Sequence, residues 1–188
     1  MNIDMFRSSP SGRLLKTSSG YWAFVPNPLP PEVRIDGQVL KLLSDADRSL
    51  GALAGIGETL PNPRLLVGPF MRKESVLSSR IEGTQASLSD LVYFEAAPGK
   101  VPKRSDVREV ANYVRAMEYG VKRLDTLPLS LRLIREMHAI LLEGVRGEHL
   151  TPGEFRRSQN WIGPPGCLLD EAAYVPPPPQ EMMDALSQ

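Results

Sequence analysis

Cysteine and histidine are almost missing from this sequence: Cys167 is the lone thiol, and His138 and His149 are the two imidazoles. A single cysteine excludes an internal disulfide, and a lone thiol without metal-ligand neighbours is compatible with a reducing cytoplasm. No activating base is suggested that would make that thiol a nucleophile. Net charge is missing as well. The 22 basic and 22 acidic side chains cancel, which removes the usual reason to expect a nucleic acid or an anionic membrane surface as partner. Long apolar runs are also lacking: Met1 to Pro10 has no apolar stretch of the secretory kind, and no later segment is long enough to span a bilayer.

What is present is a chain of 188 residues, 41% of them hydrophobic, enough for one buried core and a small appendage. Residues 1–19 are mixed and polar and read as a flexible or extended N-terminus. The stretch from Gly20 to Pro31 combines three aromatics with four prolines. Proline lacks the donor that a central strand or helix interior needs, so this segment should be an extended strap whose rings pack on the body. A proline-rich ligand for a recognition domain is the alternative, but the interleaved rings favour packing.

Beyond Asp36 the periodicity turns helical. Val39, Leu40, Leu42, Leu43, Ala46, Leu50, Leu53 and Ala54 keep a three-to-four spacing and predict a first core helix ended by Pro61. Asn62-Pro63 should cap a second helix that is split or kinked at Gly68-Pro69 and runs to Glu82, with Phe70, Leu77 and Ile81 on a buried stripe. Ser87 to Asp90 opens a short helix through Phe94. Another begins near Asp106 on Val107, Val110, Tyr113, Val114 and Met117, and a further one spans Leu129 to Leu142 on Leu131, Ile134, Met137, Leu141 and Leu142. After Arg146 turns dominate. Asn160-Trp161-Ile162 and Ala173-Tyr174-Val175 read as two short strands of a hairpin, followed by the Pro176 to Pro179 connector and a helix that the sequence does not finish.

The stretch Ser78-Ser79-Arg80-Ile81-Glu82-Gly83 has a peculiarity. The C-terminal end of a helix carries partial negative charge, so a glutamate in that position is unfavourable unless a cation meets it. Gly83 marks the helix end by its access to the left-handed conformation. An exposed glutamate beside a capping glycine is the plain reading of these residues taken alone.

Four separated motifs change the balance. Phe24-Val25-Pro26-Asn27-Pro28-Leu29-Pro30-Pro31, Leu77-Ser78-Ser79-Arg80-Ile81-Glu82-Gly83-Thr84, Pro152-Gly153-Glu154-Phe155-Arg156 and Tyr174-Val175 with the prolines at 176–179 together resemble the Fic family, in particular members with an N-terminal inhibitory helix. The resemblance covers most of residues 20–188. It implies an all-α fold, a multi-helix Fic-like bundle with a small β-hairpin flap, ending before its catalytic loop. It divides the chain into the flexible residues 1–19, a Fic N-terminal helical region over 20–126 with the inhibitory helix ending near 83, and the incomplete beginning of a Fic core over 127–188.

Active Fic proteins transfer AMP from ATP to a hydroxyl of a target protein. The resemblance implies that Ser78, Glu82 and Gly83 form the inhibitory pattern, with Glu82 pairing to an active-site arginine that would otherwise hold the γ-phosphate. Ile162, Gly163, Tyr174 and Val175 would belong to the flap that holds the target protein by main-chain pairing; an ordinary surface hairpin is the plainer alternative. ATP and magnesium are implied for the complete enzyme, and none for this stretch by itself.

The family's catalytic signature, His-x-Phe-x-Asp/Glu-Gly-Asn-Gly-Arg-x-x-Arg, does not occur. His138 lies in a helical pattern and reads as a helix histidine, and His149 as a loop residue, so no catalytic residue is assigned and no AMP transfer is expected of this chain by itself. The function expected is the regulatory and target-docking portion of an autoinhibited Fic adenylyltransferase. Two alternatives are an antitoxin-like inhibitor acting in trans on a separate Fic enzyme and a peptide-binding scaffold.

Overall fold

A computed structural model describes residues 1–100 and 105–187 and divides them into two compact units, 1–35 with 155–188 and 36–154. Residues 101–104 of the expected 20–126 region, and Gln188, lie outside the described residues.

The larger unit is helical. It contains α2 (Gly37–Thr59), α3 (Arg64–Ile81), α4 (Leu88–Ala96), α5 (Asp106–Arg123) and α6 (Leu131–Leu141). Each start has a local cause. The Asp36 carboxylate accepts from the backbone N–H of Gln38 and Val39 to begin α2. Ser87 and Asp90 exchange bonds as a capping box at α4, and the Ser130 hydroxyl accepts from Leu133 at α6. The core forms where α5 packs against α3, α4 and α6, with Val76, Ala86, Leu91, Val107, Val110, Ala111 and Val114 in one buried cluster. The approach of α5 to α6 depends on Gly120, where a Cβ would come within 2.6 Å of the Met137 sulfur. Asn112, buried on α5, donates to the carbonyls of Leu141 (3.1 Å) and Glu143 (2.8 Å), which satisfies groups that the end of α6 leaves open.

Expectations for three helices change here. Helix α2 forms as expected but contains no buried residue, so it is not a core helix. Helix α3 runs from Arg64 to Ile81 through Pro69 as one element. The stripe assigned to its buried face is exposed, Phe70 at 69% and Ile81 at 85%, while Ser75, Val76 and Ser79 are the buried positions. Small side chains let α3 lie close to α5, and the larger apolar ones point away. On α6 the buried residue is Leu133, and Ile134 is exposed.

The smaller unit carries α1 (Ile3–Arg7), an antiparallel pair β1 (Gly12–Lys16) and β2 (Trp22–Pro26), and α7 (Pro179–Leu186). The architecture is therefore the expected one, mostly helical with a small antiparallel sheet, but the sheet lies elsewhere. The residues read as a flexible or extended terminus supply α1 and β1, and the strap supplies β2, in a register that sets Leu14 opposite Phe24. A tight turn closes the pair, with Gly20 at φ 89° and Thr17 bonded to the Tyr21 carbonyl. Where a hairpin was expected there is a single bridge, Ile162 opposite Tyr174. The prolines at 164–165 and 176–179 cannot donate to a ladder, so pairing ends after one step. Ala23, Ala172 and Val175 form the buried centre of this unit. The Phe6, Phe24 and Tyr174 rings stack around it at tilted angles, centroids 5.4 to 6.3 Å apart.

Candidate functional site: the end of the third helix and the bridged loop

The end of α3 is built by its own backbone. Glu82 closes the helix with φ −82° and ψ 4°, Gly83 follows at φ 93°, and two bonds return into the last turn: Gly83 N–H to the Arg80 carbonyl and Thr84 N–H to the Ser79 carbonyl, both 3.0 Å. This double closure is the left-handed helix stop that glycine permits at low steric cost. It fixes the Glu82 backbone and leaves the side chain exposed. No described residue makes an ion pair with its carboxylate. Ser78, one turn earlier, donates its hydroxyl to Glu74 at 2.6 Å rather than to Glu82.

Glu82 and Ser78 border a cleft of about 460 Å³ whose other walls include Thr84, Glu109 and Tyr113 of α5, and Arg146. Among its described lining residues the one cation is paired: the Arg146 guanidinium stands 3.6 Å from the Glu109 carboxylate. The Thr84 hydroxyl is buried there without a hydrogen-bond partner, an arrangement that costs on the order of 1–3 kcal/mol unless another polar group reaches it. The cleft is thus an acidic helix end above an unsatisfied hydroxyl. Of the cleft's lining, sequence reasoning singled out Ser78 and Glu82 and not Thr84 or Glu109, for which only the helix-stop geometry and the α5 packing give a signal.

The histidines fall apart from this cleft's acidic end. His138 on α6 accepts from the Gly153 N–H at 2.8 Å through Nδ1. Gly153 itself is held at φ 82°, where a Cβ would press on the Arg135 carbonyl and Ala139. His149 is exposed. His138 is therefore an anchor for the turn at 151–154, which Arg135 reinforces by donating to the Gly153 carbonyl (2.7 Å) and pairing with Glu154.

In the smaller unit, the four residues read as a flap have different surroundings. Ile162 is exposed, and both its N–H and its C=O face the 173–174 backbone. Tyr174 is half-buried among rings, and burial raises its phenol pKa above the ordinary value. Val175 is buried, and its carbonyl accepts from the Phe24 N–H at 2.9 Å, so it is part of the core and not of an open edge. Gly163 sits against Cys167 and Ala172, leaving no space for a side chain. Among the described residues, no group bonds to the backbone N–H or C=O of Trp161 or Gly163. The free edge therefore lies at 161–163. Arg156 supports the segment from behind by donating to the Pro177 carbonyl.

Residues 40–122 match the model of the Fic/DOC family N-terminal region. That stretch is similar to the N-terminal domain of Fic/DOC proteins. That match contains Ser78, Glu82 and Gly83, the helix stop and the Glu109 wall of the cleft, while the bridged loop lies outside it. No curated protein matches the chain. Among the described residues no helix is long and apolar enough to cross a membrane.

Proposed function

We propose that this chain is the regulatory part of a protein adenylyltransferase, and that Glu82 inhibits AMP transfer by occupying the place of the ATP γ-phosphate. The observation that carries this reading is a glutamate whose backbone is fixed at a helix stop while its carboxylate is exposed, with no described cation paired to it. A carboxylate in that state is complementary to an arginine supplied from outside the described residues. Paired there, it neutralises the arginine and repels the triphosphate, so ATP lies in a pose unsuited to in-line attack. The backbone edge at Trp161 and Gly163 would hold an extended segment of the target protein by strand addition, which tolerates varied sequences because it reads main-chain groups. Such a protein would work in the cytoplasm.

Among the described residues no group of three or more acidic, cysteine or imidazole side chains is gathered for a metal ion. The family's catalytic signature does not occur in the sequence, so this reading gives nucleotide chemistry to a segment that bears it, and inhibition and docking to this chain. The test joins the chain to such a segment and follows transfer from labelled ATP. Glu82→Gly should raise labelling on the order of 10- to 100-fold, the scale expected when a misplaced reactant is restored to its productive position. Unchanged labelling would reduce Glu82 to a helix-end residue. Labelling by the 188-residue chain without that segment would overturn the assignment of the chemistry elsewhere.

A further inference from the structure

One backbone bridge joins the two arms of the loop over 156–177, and side chains join them again. The bridge consists of the Ile162 N–H donating to the Tyr174 carbonyl (2.9 Å) and of the Ala173 and Tyr174 N–H groups donating to the Ile162 carbonyl (2.8 and 3.0 Å). Beyond Val175 the second arm is Pro176 to Pro179, which has carbonyls to be met and no N–H to offer. Two side chains of the first arm meet them. The Gln159 amide nitrogen donates to the Pro176 carbonyl (3.0 Å) and to that of Asn160 (2.9 Å), and the Arg156 guanidinium donates to the Pro177 carbonyl and, through its other terminal nitrogen, to that of Ser158 (3.1 Å). The Tyr21 hydroxyl donates to the Gln159 amide oxygen (3.1 Å), so both ends of that amide are engaged and its orientation is fixed. Burial works against the guanidinium charge and lowers the Arg156 pKa. No carboxylate among the described residues forms an ion pair with it, so its binding capacity goes to the two carbonyls.

We infer that Arg156 and Gln159 are positioning residues for target docking: they stitch the proline arm to the first arm in place of the ladder that proline forbids, and so hold Trp161 to Gly163 as a strand edge open on one side. This rests on the docking role proposed above and names the side chains that make its edge. In an antiparallel bridge of this kind the bonded residue turns both backbone groups to its partner, and the residues before and after it turn theirs away. With Ile162 bonded to the second arm, the N–H and C=O of Trp161 and Gly163 therefore point outward. The Trp161 ring is tied back, its indole N–H donating to the Cys167 carbonyl at 3.0 Å, and Gly163 has no side chain to shield its backbone. The second arm is blunted by contrast. The Val175 carbonyl is taken by the Phe24 N–H, and the next four residues are proline. An extended segment arriving from outside is thus directed to the 161–163 side, provided that the two arms stay stitched.

Amide hydrogen exchange on the 188-residue chain, followed by nuclear magnetic resonance, reads the stitch at Ile162, Ala173 and Tyr174. Gln159→Glu sets a carboxylate against two carbonyl oxygens, and Arg156→Lys keeps the charge but has one nitrogen where the guanidinium uses two. Each should speed exchange at the three bridge amides by at least about 10-fold, while the amides that pair β1 with β2 stay within about 2-fold of the parent and show that the unit remains folded. A second measurement separates this inference from the docking role on which it rests. A short peptide of alternating threonine and valine, with lysines at both ends for solubility, is titrated against the chain, and the Trp161 and Gly163 amide signals are followed. The parent chain should bind it, and a twin peptide N-methylated on the residues facing the edge should bind at least about 10-fold more weakly, since it lacks the main-chain donors. Gln159→Glu should weaken the plain peptide by a similar factor and leave the twin unchanged. Bridge amides that exchange at the parent rate in both variants overturn the stitch, whatever the peptide does. Faster exchange with undiminished peptide binding overturns the positioning role. Faster exchange in the variants, together with a parent chain that binds neither peptide or both equally, overturns docking at this edge and the positioning role with it, and leaves the stitch standing as a structural tie.

Discussion

Helices α2 and α5 look alike in sequence and behave differently in the structure. Both are amphipathic and both start at a polar cap. Yet the 18-residue α5 buries Val107, Val110, Ala111, Asn112, Val114, Ala116 and Gly120, and the 23-residue α2 buries nothing. Periodicity reports that one face of a helix is apolar; it does not report what covers that face. For α5 the cover comes from neighbours in the same unit, α3, α4 and α6, and small residues at the contact allow close approach. For α2 no described element packs closely enough to bury a residue, and its leucines remain exposed.

The sharpest way to test that contrast is to place the same charge on each helix. Val110→Asp puts a carboxylate into a fully buried position and should destabilise the larger unit by about 4 kcal/mol or more, enough to unfold a marginal domain. Leu50→Asp, measured by urea denaturation at dilution, should change stability by less than about 0.5 kcal/mol, as expected for an exposed site. Equal losses at the two positions would mean that α2 is packed in solution and that the difference drawn here is wrong.

A second probe asks what else α5 supplies. Its buried Asn112 holds the carbonyls of Leu141 and Glu143, so it anchors the segment that carries Arg146 to the cleft wall. Asn112→Ala should cost about 1–3 kcal/mol, since two buried acceptors lose their donor. Hydrogen exchange should speed up at the end of α6 before it does at α4. A uniform increase across the unit would instead mark Asn112 as an ordinary core residue.

What could be read from the sequence follows the same division between local and long-range causes. The starts near Asp36 and Ser87 were legible because Asp36, and Ser87 with Asp90, act on backbone groups a few residues away, whereas the start read at Leu129 lies two residues early because Ser130 is the cap. The stop at Glu82 and Gly83 was legible for the same reason. The buried face of α3 was not: Ser75 and Ser79 are buried because α5 comes close, while Phe70 and Ile81 draw attention by size and lie exposed. The two-stranded sheet was hidden because Arg13 to Lys16 is short and mixed, and its pairing depends on a turn from Thr17 to Tyr21. The hairpin expected at 160–175 shrinks to one bridge because proline on both sides removes the donors. In the candidate site, the orphan Thr84 hydroxyl and Glu109 could not be read at all, since their significance is set by which helices meet.

A final probe concerns how α5 and α6 are joined on their exposed side, where the contrast with α2 is finest. Glu136 of α6 accepts from Tyr119 (2.7 Å) and Arg123 (3.1 Å) of α5, and from Arg132 (2.9 Å) of its own helix. The Tyr119 hydroxyl first, and then the two guanidiniums, favour the charged carboxylate and lower its pKa from 4.5 to about 2. A carboxyl whose folded value lies below its unfolded one contributes stability above the unfolded value. That contribution is lost as pH falls from 4.5 toward 2. Glu136→Gln removes the charge while keeping the shape, so its stability should converge on that of the parent protein as the pH is lowered through this window. Because the network is open to solvent, the gap at neutral pH should be small and should narrow further with salt. A gap that persists unchanged at low pH would show that Glu136 acts through packing. In that case the α5–α6 pair would owe nothing to its charges, and the difference from α2 would rest on burial alone.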